Sequence, residues 1–355
     1  MKQSGDNSKS FDWKLWGGLL ISALFIYLAF RKVDLARLWV VTKSVDPVLI
    51  FLVILATVFQ YVVRAWRWGL LLEPIQHTRF INRLTTTLIG FAANCVLPAR
   101  LGEFIRANYL GHTEKISGSS TFGTIVVERL FDGLTLLIVL FIGLMGTTFQ
   151  GEWESLNDKL HQAGFLLLFL YLGVIIFLVG FKYKPQIFLN LLERFLFFLT
   201  ENLRKRILEI VRDFSSGLVL VKSPSKWFLI IFYSFLVWFT HLIQIQWIEQ
   251  ALGLSLPFIA TFLIMAMASL GVIIPSAPGF VGTFHLSVLY AFLLYGVDRE
   301  VALSAAILWH AALFLTTLFI GLLAFIYVQT VFGKPGKTSR TRPQTPPGGG
   351  NESGS

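Results

Sequence analysis

The sequence predicts an all-α protein, a polytopic membrane helix bundle of about eight spans with broken or re-entrant helices near 98–104 and 275–283. Three observations carry this expectation. Of 355 residues, 55% are hydrophobic and 14% charged, against about 25% charged in soluble domains, and the mean hydropathy is +0.69. Apolar runs of the roughly 20 residues needed to cross a hydrocarbon core recur along the chain. Two runs are interrupted, at Leu97-Pro98-Ala99-Arg100-Leu101-Gly102-Glu103 and at Ile274-Pro275-Ser276-Ala277-Pro278-Gly279-Phe280-Val281-Gly282. Pro removes a backbone donor and Gly weakens a helix, so each break is expected to leave open backbone groups at membrane depth. Only protein or a wet cavity satisfies such groups there, and paired breaks in two halves point to a transporter-type binding site.

Residues 1–12 read as a polar tail, and the first span is placed near 13–31. Lys2, Lys9 and Lys14 resemble the start of a signal peptide, but no small-residue cleavage site precedes Arg31-Lys32, so the span reads as uncleaved. Further spans are expected near 47–70, 121–146, 163–181, 227–248, 257–274 and 302–330. The segments 84–110 and 276–297 contain the breaks and either cross or dip in and return. The Ser/Thr/Pro/Gly-rich stretch 332–355 cannot bury a core and reads as a disordered cytoplasmic tail, which leaves 13–331 as one transmembrane domain.

The segment 182–226 holds nine cations, from Lys182 and Lys184 through Arg204, Lys205 and Arg206 to Lys226, and is therefore expected on the cytoplasmic side. Gly151 to His161 is acidic and should face outward. Threading the chain puts both termini inside, with Arg31, Lys32, Arg37 and Lys43 as an exception to the positive-inside rule. The net charge of +10 reads as this bias beside anionic headgroups, not as a nucleic-acid surface. Ile207, Val211, Phe214, Leu218 and Val221 recur at helical spacing, which gives an amphipathic helix lying on the inner surface or packed on the end of the bundle. A lone Cys95 excludes an internal disulfide.

Charges within spans cost at least about 2.5–3.5 kcal/mol each on insertion scales and need a partner or a purpose. Glu128 and Asp132 are stacked at i, i+4, and Arg129 stands three residues before Asp132. Two carboxylates with one Arg leave an apparent negative surplus that Arg100 or Arg106 could neutralise. The group either locks two helices near the interface or forms a polar headgroup site. Arg64 and Arg67, flanked by Trp66 and Trp68, read as snorkelling cations in an aromatic belt, or as part of a phosphate-binding ring. His241, Gln244, Glu249 and His310 are weaker signals without metal-ligand spacing. His285 is preferred among the histidines because it follows Gly282 at the start of a half-helix, whose positive end favours anions. No Walker loop, dinucleotide fingerprint or nucleophile elbow is present, and Asp132-Gly133 lacks the further acidic residues of a metal-dependent lipid transferase. The expectation is a non-enzyme with no cofactor, no metal and no catalytic residue.

At four places the chain resembles the transmembrane region of the lysylphosphatidylglycerol synthases, a flippase-like family whose members also occur as stand-alone membrane proteins. The places are Arg64-Ala65-Trp66-Arg67-Trp68, Leu97 to Glu103, Glu128-Arg129-Leu130-Phe131-Asp132 and Pro275 to Phe284. The resemblance implies broken helices around a lipid-accessible cavity and movement of a polar-headgroup lipid between leaflets. The partners it implies are membrane lipids, anionic phospholipid or glycolipid, with a separate lipid-modifying enzyme or glycosyltransferase as an alternative. Aminoacylation does not carry over, because only a short tail follows the bundle. His285 also departs from the family pattern, which has Glu there. The candidate headgroup residues are Arg64, Arg67, Arg100, Glu103, Arg106, Glu128, Arg129, Asp132 and His285. Pro98, Gly102, Pro275, Pro278, Gly279 and Gly282 are the candidate break or hinge positions. The first break is cationic and the second uncharged from Ile274 to Phe284, so if they face each other the first should hold a headgroup and the second act as hinge or cradle.

Overall fold

The computed structural model describes residues 13–97, 100–147, 154–218, 223–274 and 276–332, and these form thirteen α-helices with no strand among the described residues. Helix α1 (Trp13–Phe30) leads to a short helix α2 (Leu35–Lys43), which starts where Asp34 accepts hydrogen bonds from the amides of Ala36 and Arg37. Helix α3 (Pro47–Leu72) is capped in the same way, Asp46 accepting from Val48 N at 2.8 Å. Its Pro47 occupies the first turn, where the missing N–H has no intrahelical partner to lose. There follow α4 (Phe80–Val96), α5 (Gly102–Glu114), α6 (Gly118–Met145), α7 (Leu156–Tyr183), α8 (Pro185–Phe195), α9 (Glu201–Gly217), α10 (Pro224–Ala251), α11 (Phe258–Ile273), α12 (Thr283–Leu293) and α13 (Arg299–Phe332). Four of them, α3, α7, α10 and α13, are each long and apolar enough to cross a membrane. Helix α6 equals α7 in length but carries Glu128, Arg129 and Asp132.

The two broken segments are re-entrant hairpins. Gly90 of α4 lies against Gly102 and Arg106 of α5, and Asn82 near the start of α4 donates to Glu114 at the end of α5 at 2.7 Å. Residues equally far from the break therefore face each other, as in antiparallel arms. Likewise Gly271 of α11 lies against Thr283 and Ser287 of α12. The expectation of a full crossing at 257–274 is corrected here. The 16-residue α11 is one arm, and the chain turns back between Ile274 and Gly282.

The hairpins enter from opposite ends of the bundle. The open end of α4/α5 sits where α3 ends and α10 begins: Gln76 donates to Glu114 O at 2.9 Å and Lys226 pairs with Glu73 at 2.7 Å. The open end of α11/α12 sits at the other end of α6, where Gly143 packs on Leu263 and Thr147 bonds Tyr295 at 2.9 Å. Between them runs an apolar core that includes Val53, Val237, Ile245, Ile264, Val288, Phe292, Leu303 and Trp309.

Two loop expectations are refined. The cations between α1 and α3 are not simply an exception to a charge rule. α2 packs beside the start of α13, where Arg37 pairs with Asp298 at 2.6 Å and reaches Glu300 at 3.6 Å. The segment 182–226 contains two helices, not one. The C-terminal half of α9 packs on the bundle, with Gly217 against Ser120 O and Phe214 6.1 Å from Phe122, so the packed alternative describes Phe214 and Leu218. Val221 lies outside the described residues.

Candidate functional site

Seven charged side chains from α3, α5 and α6 form one buried network. Glu128, fully buried, accepts a bidentate pair from Arg106 at 2.8 and 3.1 Å and lies 3.3 Å from both Arg67 and Arg129. Asp132, one turn along α6, receives Arg67 at 2.7 Å, Arg129 at 3.1 Å and Arg64 at 3.3 Å. Glu103 of α5 reaches Arg129 at 3.4 Å. Each carboxylate that would be expensive alone thus has two or more guanidiniums, or, for Glu103, one, and the Arg106–Glu128 pair has the fork geometry that suits a carboxylate. Arg67 also donates to Ser234 of α10 at 3.0 Å, and the Arg106 guanidinium lies 3.8 Å over the Trp68 ring.

Two sequence expectations are overturned by this network. Arg64 and Arg67 do not snorkel, for both are buried and ion-paired. Trp68 is also buried, and only Trp66 keeps the surface position that an aromatic belt implies. The charge balance is reversed as well: four guanidiniums face three carboxylates, so the network carries a positive surplus of one. A count along α6 alone missed the arginines that α3 brings.

In front of the network lies a cavity of two adjoining lobes, of about 240 and 450 Å³. Both lobes are lined by Arg64, Arg100, Arg129 and His241. Glu103 lines the first and Asp132 the second, and Arg67, Arg106 and Glu128 stand behind as supports. The tips of the two hairpins close the cavity on one side. Arg100 donates to Val272 O of α11 at 3.1 Å, and its guanidinium lies 5.7 Å over the ring of Phe280. Arg100 and Phe280 are both non-glycine residues at positive φ, 53° and 58°. Such backbones persist only where their surroundings hold them. Facing of the two breaks is therefore observed, with Arg100 as the cationic residue of the first break at the cavity and Arg106 in the network one turn behind.

Among the described residues, three backbone donors at the breaks, which the sequence suggested would be open, find side-chain partners. Gly102 N donates to Asn94 Oδ1 at 2.7 Å, Ala277 N to Ser22 Oγ at 2.8 Å and Gly282 N to His285 Nδ1 at 3.4 Å. His285 thus caps α12 and lines neither lobe. His310 does line the first lobe, with Nε2 2.9 Å from Gly279 O, and its ring packs 4.7 Å from that of His285. Gln60 and His241 form a second polar pair at the cavity, and His241 continues to Gln244 at 3.2 Å. Of the hinge positions, Gly279 and Gly282 adopt φ of 77° and 95°, where only glycine is unstrained. Pro278 starts a short 3₁₀ turn, and Gly102 is the point where the arms of the first hairpin touch. Pro98 and Pro275 lie outside the described residues.

A helical bundle with opposed re-entrant hairpins and four helices long and apolar enough to cross a membrane is the architecture of a multi-pass membrane protein. The chain belongs to the family of the lysylphosphatidylglycerol synthase transmembrane region, whose family model matches residues 15–321. Among curated relatives it is 22% identical over 318 residues to Glycosyltransferase AglD of Haloferax volcanii, an alignment covering 83% of this chain and 51% of that protein. The chain thus spans about half the length of that relative. It is 22% identical over 324 residues to a UPF0104 membrane protein of Methanocaldococcus jannaschii, covering 89% of this chain and 95% of the other. A second such protein of that organism is 26% identical over 237 residues, covering 66% and 94%.

Proposed function

We propose that this chain binds a polar-headgroup lipid, whether phospholipid, aminoacyl-phospholipid or glycolipid, and moves it between leaflets of the cell membrane. The observation that carries this reading is the cavity where the two opposed hairpin tips meet. Three guanidiniums line it, and the tips present exposed apolar side chains beside it: Val96, Leu101 and Phe104 on one, Ile273 and Ile274 on the other. A headgroup in the cavity and acyl chains against those side chains satisfy both halves of a lipid. No catalytic role is assigned to the site. In proteoliposomes, Arg100→Ala should abolish leaflet exchange of a labelled lipid while thermal stability stays near wild type. Exchange at the wild-type rate would sink the assignment. The cations of segment 182–226 support a cytoplasmic side for both termini. In a Cys95→Ala background on intact cells, a membrane-impermeant thiol reagent should label Ser44→Cys and spare Lys205→Cys, and the reverse pattern would invert the topology.

A second reading follows from the relative named as a glycosyltransferase, in which the matched region accounts for only half of the protein. The chain would then be a membrane subunit that docks a lipid-modifying enzyme or glycosyltransferase. That reading requires co-purification of a soluble partner and no exchange by the chain alone.

A further inference from the structure

The charge balance of the cavity points to one class of headgroup. The acidic side chains at the cavity, Glu103 and Asp132, are committed to arginines, and so is Glu128 behind them. Arg64 and Arg129 are correspondingly matched. Arg100 is different: among the described residues it has no carboxylate within ion-pair distance, and its hydrogen bond goes to a neutral backbone carbonyl, Val272 O. The remaining titratable groups at the cavity, Tyr61, Cys95, His241 and His310, supply no resident anion at neutral pH. A cation at the mouth of a partly apolar cavity, on top of a network that already carries one positive surplus, makes a poor home for a cationic headgroup and a good one for a phosphate.

We propose that the cavity selects lipids of net negative headgroup charge that present a phosphate, that Arg100 is the residue recognising that charge, and that lipids of net positive headgroup are excluded. This rests on the lipid-binding reading above. The phosphate takes two guanidinium donors from Arg100, one of which leaves Val272 O. Because that bond ties the first hairpin tip to the second, occupancy of the site frees the tips from each other. Arg100 is thus at once the specificity determinant and the tie between the hairpins.

The test uses the full-length chain in lipid nanodiscs, with binding of short-chain phosphatidic acid, phosphatidylcholine and lysyl-phosphatidylglycerol read by native mass spectrometry. Phosphatidic acid should bind most tightly and lysyl-phosphatidylglycerol least. Arg100→Gln should weaken phosphatidic acid by roughly 10- to 100-fold, the range of one charge-assisted hydrogen-bonding partner, and phosphatidylcholine, whose phosphate is offset by its own choline, by several-fold less. Arg100→Lys should recover most of the loss. Equal binding of the anionic and cationic lipids, or equal loss of both phosphatidic acid and phosphatidylcholine in Arg100→Gln, overturns the proposal. Displacement by millimolar glycerol 3-phosphate would reassign the site to a soluble phosphate ester and overturn its lipid part. Charge-selective binding without leaflet exchange leaves the selectivity standing and removes only the translocation reading. Exchange without charge preference does the opposite.

Discussion

Glu128 is the residue whose loss should be felt most. It is fully buried, and three guanidiniums, those of Arg67, Arg106 and Arg129, converge on it at 2.8 to 3.3 Å. Glu128→Gln keeps the shape and one acceptor oxygen but removes the charge, so the buried network passes from a surplus of one positive charge to two. Removing one partner of a buried pair costs about 3–5 kcal/mol, because the other partner remains buried and uncompensated. With three partners affected, the upper part of that range applies. At about 2 °C per kcal/mol for a chain of this size, the midpoint of thermal unfolding in detergent should fall by roughly 8–10 °C. Arg106→Met in the Glu128→Gln background restores the original charge balance and should recover about half of the loss. Lys226→Met, which removes a remote, half-buried cation paired with Glu73, should recover none. A midpoint within about 2 °C of wild type for Glu128→Gln, or equal rescue by both second substitutions, would refute the reasoning.

Gly102→Ala should prevent the arms of the first hairpin from closing, since a Cβ there overlaps Gly90 O and lies 2.5 Å from Asn94 Oδ1. The overpacking is expected to cost at least about 1–3 kcal/mol, read as loss of monodisperse protein in size-exclusion chromatography. Gly118→Ala meets no atom within 4 Å and should behave as wild type. Asp34→Ala removes the cap of α2 and should lower stability by about 0.5–2 kcal/mol, measured as a small fall in melting midpoint. The Glu73 carboxylate is held below its ordinary value of 4.5 by its hydrogen bond and ion pair with Lys226. A depressed carboxylate contributes stability that is full above its unfolded value and lost as pH falls through the folded one. Because the pair is partly exposed and screened by solvent, the contribution is under about 1 kcal/mol. Lys226→Met should therefore show a shallower loss of stability than wild type below about pH 4.5, and parallel melting curves would remove the effect.

The fold class was legible because membrane depth leaves few choices for a backbone, and composition with run length exposes that depth. The positions of both breaks were also legible. Whether they cross or return was not, because it depends on Gly90 meeting Gly102 and Gly271 meeting Ser287, contacts between arms that no local pattern specifies. The ionic residues of α6 were found as a group, yet their charge was misjudged. A sequence shows which charges share a helix and hides which helices share a charge. Arg64 and Arg67 were obscured by Trp66 and Trp68, which imitate an interfacial belt although only Trp66 is exposed. The short helix α2 did leave a local signal, an Asp followed by an amphipathic stretch, and the second cap, Asp46-Pro47, marks the start of α3 just as plainly.

The histidines show why an isolated polar residue in an apolar run is hard to assign. Interrupting a helix in a membrane frees amides and carbonyls that water does not reach, and each must find a side chain. At the first tip Asn94 takes Gly102 N. At the second, Ser22 of α1 takes Ala277 N, His285 takes Gly282 N and His310 meets Gly279 O. His285 and His310 are therefore part of what makes the second Pro/Gly break tolerable, and their positions follow from the break they serve. Val272 O, just before the second break, is the case in which that role falls to a cation. A neutral carbonyl needs no full charge to satisfy it, and the Asn or Ser used elsewhere at these tips would cost less to bury than a guanidinium. Arg100 at this place thus exceeds what the backbone requires, and the excess is one positive charge directed at the cavity.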